Sequence, residues 1–242
     1  MYPLIKLGKP IKNNMSLKTI SGFFILFLLA IFAQPVAGQP SSAAAVKEYW
    51  LMIKNDRDSE MRELFRTGFN PNRKNPDQQP ALIYAAREDS WRAFDLLVAH
   101  PKIDINLANQ YNETPIMYTA LLGDLTRTQK LIDKGANISQ PGWNALHYAT
   151  VKNQLSVMKL LLAKGAAIDE VNPDGDTALI LAVRSGNVEV MQVLINGGAD
   201  PTASNFKAQN SIEIAREKGN AALAQALEKI ARERRAKQSE TQ

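Results

Sequence analysis

Histidine, cysteine and clustered carboxylates most often carry chemistry, and this sequence uses them sparingly. There are two histidines, His100 and His147, and no cysteine in 242 residues. A histidine base needs an orienting partner, and a zinc site needs at least three converging ligands. Two histidines 47 residues apart offer neither. The missing cysteine removes disulfides, thiolate metal sites, a thiol nucleophile and lipid attachment at an N-terminal cysteine together. Asp174-Gly175-Asp176 has the opening of a calcium loop but lacks the twelve-residue ligand series and its closing glutamate. Asp56 and Asp58 lie in a polar stretch between apolar runs, where solvation accounts for both. Gly197-Gly198 reads as a helix stop, and there is no glycine-rich phosphate loop. Catalysis is not expected, and neither a cofactor nor a metal is implied.

The net charge of +5 and the pI near 9.3 raise the question of an anionic partner. Residues 1–38 carry Lys6, Lys9, Lys12 and Lys18 and no acid, leaving 25 basic and 24 acidic residues after them. A second excess lies in 228–242, where Lys229, Arg232, Arg234, Arg235 and Lys237 stand against Glu228, Glu233 and Glu240. The body between is close to neutral and has no basic stripe to track a phosphate backbone. Nucleic acid is not an expected partner.

From Ile20 to Ala33 the chain is uncharged and strongly apolar, with lysines before it and Gln34, Pro35, Val36, Ala37 and Gly38 after it. Basic, apolar, then small residues is the order of a secretory signal. A spanning helix takes about 20 apolar residues, and this run stops short at a Gln-Pro pair that disfavours helix continuation. We read 1–38 as a signal peptide cleaved after Ala37 or Gly38, followed by a short linker at 39–45; the alternative is an uncleaved signal anchor. Met15, followed by Ser16, Leu17 and Lys18, is a second candidate start that gives a signal of ordinary length.

Beyond the linker the chain repeats itself. Asn75-Pro76-Asp77-Gln78-Gln79-Pro80-Ala81-Leu82 corresponds to Asn172-Pro173-Asp174-Gly175-Asp176-Thr177-Ala178-Leu179. Between them lie Asn109-Gln110-Tyr111-Asn112-Glu113-Thr114-Pro115-Ile116 and Gln140-Pro141-Gly142-Trp143-Asn144-Ala145-Leu146-His147, and a drifted copy runs from Asn205 to Ile212. Units close on an apolar pair before a glycine: Leu64-Phe65 and Gly68, Leu131-Ile132 and Gly135, Leu161-Leu162 and Gly165, Leu194-Ile195 and Gly198. Leu96-Leu97 precedes His100, where the glycine is missing. The turn position recurs at Gln78, Asn112, Gly142, Gly175 and Ala208, with spacings of 34, 30, 33 and 33. A period near 33 marks a solenoid, and the fourth hairpin is about three residues short.

These residues resemble the ankyrin repeat, whose pattern runs through a turn, Thr-Pro-Leu-His, a pair of small residues, then Leu-Leu and Gly-Ala-Asp. The resemblance covers about 46–231 and implies an all-α ankyrin-repeat solenoid of helix-turn-helix units with hairpin loops, about five repeats plus capping helices. Units are expected near 46–74, 75–108, 109–138, 139–171 and 172–204, with a C-terminal cap at 205–231 and a charged, disordered tail at 232–242. Thr114 or Thr177 can cap a helix through its hydroxyl, and Pro115 suits a first helical turn, where its missing N–H costs nothing. Ala85-Ala86, Ala120, Ala149 and Ala182 are small enough for neighbouring helices to approach closely. His147 falls on the family's Thr-Pro-Leu-His position, which implies a hydrogen bond within the turn.

In this family partners usually bind the concave side, built from hairpin tips and first helices. The resemblance carries that role to Asp77, Gln79, Arg87 and Glu88 in the second unit and to Tyr111, Glu113, Leu121 and Leu122 in the third. The next two units supply Trp143, Val151 and Lys152, then Asp174, Asp176 and Arg184. Tyr, Trp and Arg are the types that most often carry interface energy. Trp143, beside the short hairpin, reads either as a plug or as a binding anchor. The expected protein is a monomeric, non-catalytic interaction scaffold of the exported bacterial type. It would work in the periplasm, not inserted in the membrane after signal cleavage, where it stabilises, recruits or inhibits a protein partner of unknown identity. The alternative is a secreted factor acting on a host-cell protein.

Overall fold

The computed structural model describes residues 42–240, so the apolar segment at 20–33 and the expected cleavage site lie outside the described residues. Twelve helices form six pairs among them: α1 (Ala43–Lys54) with α2 (Asp58–Arg66), α3 (Ala81–Arg87) with α4 (Trp91–Ala99), and α5 (Pro115–Leu122) with α6 (Leu125–Asp133). Then follow α7 (Ala145–Val151) with α8 (Leu155–Ala163), α9 (Ala178–Ser185) with α10 (Val188–Asn196), and α11 (Ser211–Glu217) with α12 (Ala221–Glu240). Helices of seven to nine residues are marginal alone in water, so these depend on stacking. The first helices stand in one row, from α1 through α3, α5, α7 and α9 to α11.

The sequence supplies what each joint needs. The turn inside each pair passes through a left-handed residue: Asp56, Asp89, Gly123, Asn153, Gly186 and Gly219, at φ between 52° and 75°. Glycine, aspartate and asparagine take that conformation most readily. Thr177 accepts the Ile180 N–H at its hydroxyl, and Thr114 stands at the start of α5 in a capping box with Met117, whose sulfur accepts the Thr114 N–H at 3.4 Å. Asp56 is more than a solvated loop acid. It accepts the Ala93 N–H at 2.8 Å and pairs with Arg92, tying the first unit to the second.

Ala85, Ala120, Ala149, Ala182 and Ala215 are fully buried, one on each of five first helices, and let the row close up. Leu97, Leu131, Leu161 and Leu194 are fully buried on the second helices. In α4 the inward pair is Leu97 and Val98, not Leu96 and Leu97. The helical period from Phe94 selects the residues three and four positions on and leaves Leu96 on the flank.

Both ends differ from expectation. The first helix begins at Ala43, inside the expected linker, because Ser42 caps a run of three alanines with strong helix propensity. Helix α12 continues to Glu240 through residues expected to be disordered. The Arg234 guanidinium donates to the carbonyls of Ile195, Gly198 and Ala199 at the end of α10, a fixed anchor for a polar helix.

Candidate partner-binding face

Hairpins lead into the first helices, and four of them share one construction. The Asn172 carboxamide oxygen accepts the N–H groups of Asp174 and Asp176 at 2.9 Å each, while its backbone exchanges bonds with Asp176 and Gly175. Asn109 and Asn205 do the same, and Asn75 accepts the Gln79 N–H. The residue at the turn is left-handed in every hairpin: Gln78, Asn112, Gly142, Gly175 and Ala208, at φ of 56° to 82°. At Gly175 a side chain would also strike the Phe206 backbone and ring, so glycine is required twice over.

The fourth hairpin is different. Asn72, Asn106, Ser139 and Asp169 each accept a backbone N–H from the following unit. The helix cap lies eight residues after Asn72, Asn106 and Asp169 but five after Ser139. The three missing residues include the asparagine anchor. In its place Gln140 donates to the carbonyls of Asn112 and Trp143, strapping the short loop to the hairpin before it. Trp143 is left half-buried, its ring edge-on to Tyr148 and His147 at 5.7 and 5.6 Å.

Tyrosines recur at one position of the first helices, as Tyr84, Tyr118 and Tyr148, and two of them converge on Glu113. The Tyr118 hydroxyl donates to Oε2 at 2.7 Å, Asn109 donates to the same oxygen at 2.7 Å, and the Tyr148 hydroxyl donates to Oε1. Burial first, and then the bond to Glu113, raise both phenol pKa values above the ordinary range.

The chain belongs to the ankyrin-repeat family. A family model for ankyrin repeats matches residues 50–141 and 117–205. Among curated relatives, the palmitoyltransferase ZDHHC13 of Homo sapiens is 28% identical over 122 residues, 49% of this chain and 20% of that protein. Ankyrin repeat and SOCS box protein 2 of Bos taurus is 30% identical over 143 residues, 53% of this chain and 23% of that protein. The nuclear factor NF-kappa-B p105 subunit of Gallus gallus is 28% identical over 160 residues, 63% of this chain and 16% of that protein. The chain thus spans about 20% of the length of these relatives. Ankyrin repeats are interaction modules, so the places where this repeat array departs from regularity are where a partner would find a distinctive surface.

The expected site residues divide. Tyr111, Leu122 and Val151 are exposed at 64%, 39% and 48%. Asp77, Arg87, Glu88, Lys152, Asp174 and Arg184 are exposed, while Leu121 is half-buried with its carbonyl capped by Gln154. Gln79 and Asp176 are instead buried, because the hairpins use them. Gln79 accepts from Asn109 at 3.3 Å, and Asp176 accepts from Asn205 at 2.8 Å and pairs with Arg184 at 3.3 Å. Three residues were not foreseen for this face: Tyr118, Tyr148 and Phe206, the last 75% exposed at a hairpin. The spacings of Tyr84, Tyr118 and Tyr148 equal those of the turn position, which was the available signal.

His147 directs its ring at the backbone of the following hairpin, where Glu170 and Asp176 face it, and not at the turn of its own unit. Burial pushes its pKa down to about 4, outweighing the opposite pull of those two backbone groups. His100 packs edge-on against Phe65 at 4.7 Å and is also lowered, by burial and then by Lys102. Among the described residues no group of three or more acids and histidines is placed to hold a metal, and no helix is long and apolar enough to cross a membrane.

Proposed function

We propose that this chain is a non-catalytic scaffold that binds a protein partner through its hairpin and first-helix face, centred on the third and fourth units. One observation carries the reading. Tyr111, Leu122 and Val151 are exposed large apolar side chains on the adjacent third and fourth units, the same two units that the short hairpin and the half-buried Trp143 join. Surface of that kind, rimmed by polar residues, is how interaction sites differ from ordinary protein exterior. Residues 1–38 support a further step: export through a cleaved signal, with the scaffold working as a monomer in a bacterial periplasm to stabilise, recruit or inhibit its partner.

Two experiments test this. N-terminal sequencing of protein from a fractionated producing cell is expected to begin near Gln39; residues 20–33 retained in a membrane pellet would establish the anchor instead. Affinity capture from the same extract, followed by mass spectrometry, identifies the partner. Trp143→Ala is expected to lower its affinity by about 2 kcal/mol or more. Lys159→Ala, exposed on the second helix α8, leaves affinity unchanged. Equal binding by both variants would move the site off this face.

A further inference from the structure

Glu113 and Asp176 occupy the same place in their hairpins, immediately before the helix cap, yet their charges are treated differently. Asp176 is neutralised within the chain, by Arg184 at 3.3 Å and by the Asn205 carboxamide. Glu113 receives only neutral donors, from Asn109, Tyr118 and Tyr148. Among the described residues no lysine or arginine nitrogen stands at ion-pair distance from it, and Arg87 approaches the Tyr118 hydroxyl instead. A carboxylate has about four acceptor sites. Two on Oε2 and one on Oε1 are filled, so a site on Oε1 stays open.

Beside this carboxylate the Tyr148 and Trp143 rings meet at 81° with centroids 5.7 Å apart. The loss of three residues from the hairpin brings Trp143 to this corner, and the Gln140 strap holds its backbone against Asn112, the neighbour of Glu113. Aromatic faces attract cations, and more strongly where water is excluded. Tyr111, Leu122 and Val151 supply apolar surface on the same units to exclude it once a partner is seated.

We propose that Glu113, Tyr148 and Trp143 form a recognition site for a cationic side chain, arginine or lysine, set among apolar residues of the protein partner. The inference rests on the reading of this face as the binding face. It adds the chemistry of the residue that docks there: its charge completes a pair that Asp176 already has within the chain.

The test needs no identified partner. The probes are N-acetyl-leucyl-arginyl-leucine amide and the same peptide with neutral citrulline in place of arginine. Each is titrated into the isotope-labelled full chain while the Trp143 indole N–H and the backbone signals of Tyr111 to Thr114 are followed. Saturable shifts at these residues are expected, with the arginine peptide binding about fivefold more tightly, the factor an accessible ion pair and cation–π contact together give. Glu113→Gln keeps one oxygen for Tyr118 and Asn109, turns its NH2 to the Tyr148 hydroxyl oxygen, and removes the ion pair while leaving the aromatic rings, so it is expected to reduce that preference to about twofold. The wild-type comparison of the two peptides stands alone should the variant fold poorly. Equal affinity of the two peptides at these residues, or a preference left undiminished by Glu113→Gln, would overturn the cation site and leave the binding face intact. No saturable shift at these residues would also overturn it, and partner capture then decides the face separately.

Discussion

The fourth and fifth hairpins do the same job in the stack by different means. In the fifth, Asn172 closes the loop on itself, Asp176 bonds forward to Asn205, and Arg184 covers that acid, so the group before the helix cap is used inside the chain. In the fourth, the asparagine is gone, Gln140 reaches back to the third hairpin, and the half-buried Trp143 is set against Tyr148, whose hydroxyl reaches Glu113 of that third hairpin. A repeat whose hydrogen bonds are satisfied internally serves stability. One that has lost its internal anchor has groups available for recognition, and a repeat array can hold both kinds because each unit contacts only its neighbours.

If the difference is confined to the hairpins, the helical layers behind them should be equally firm. Leu161→Ala in the fourth unit and Leu194→Ala in the fifth each remove a fully buried side chain. Each is expected to cost about 2 to 5 kcal/mol in denaturant melts. Lys152→Ala, on an exposed C-cap, stays within ~0.5 kcal/mol. A much smaller loss at Leu161 than at Leu194 would mean that the short hairpin loosens its whole unit.

A somewhat smaller effect arises where the two hairpins meet, at His147. In the unfolded chain this ring takes a proton near its ordinary pKa of 6.5, whereas in the fold burial delays protonation to about 4. Its contribution is fully present above pH 6.5 and is lost as pH falls from there to about 4, reaching ~3 kcal/mol. Urea melts of the wild type and of His147→Leu at pH 7.5 and 4.5 isolate that term, since protonation of the carboxylates is common to both. His100 adds a loss of the same sign to both proteins. Parallel pH profiles would show that the ring does not couple the hairpins.

The repeat register was legible because backbone demands recur at fixed spacing: the five turn positions picked out by their spacing are all left-handed, although only two are glycine. The shortened hairpin was legible for the same reason. The cluster on Glu113 was not, because Tyr118, Tyr148 and Glu113 meet through a three-dimensional stack that joins residues 30 and 35 positions apart. The burial of Gln79 and Asp176 was hidden likewise, since their partners Asn109 and Asn205 lie one repeat away. The helical tail escaped notice because composition argued for disorder, and its anchor on the carbonyls of 195–199 has no local trace.

The smallest expected effect is the most direct comparison of the two hairpins. Asn172→Ala deletes the oxygen that two N–H groups use, and the Asp176 N–H it orphans is buried. Leaving such a donor unpaired costs about 1 to 3 kcal/mol. Ser139→Ala deletes a single exposed bond to the Ala167 N–H, 2.8 Å long, and water can replace it. That loss is expected to stay below ~1 kcal/mol. Equilibrium melts of the two variants measure the difference, and the same proteins can be offered the arginine peptide. Because Asp176 of the fifth hairpin is already paired with Arg184 and the cation site lies on the third and fourth units, Asn172→Ala should weaken the fold while peptide affinity stays within about twofold of wild type. A loss of affinity on Asn172→Ala as large as on Glu113→Gln would mean that the cation site extends into the fifth hairpin and that the division between an internally satisfied loop and a recognition loop is wrong.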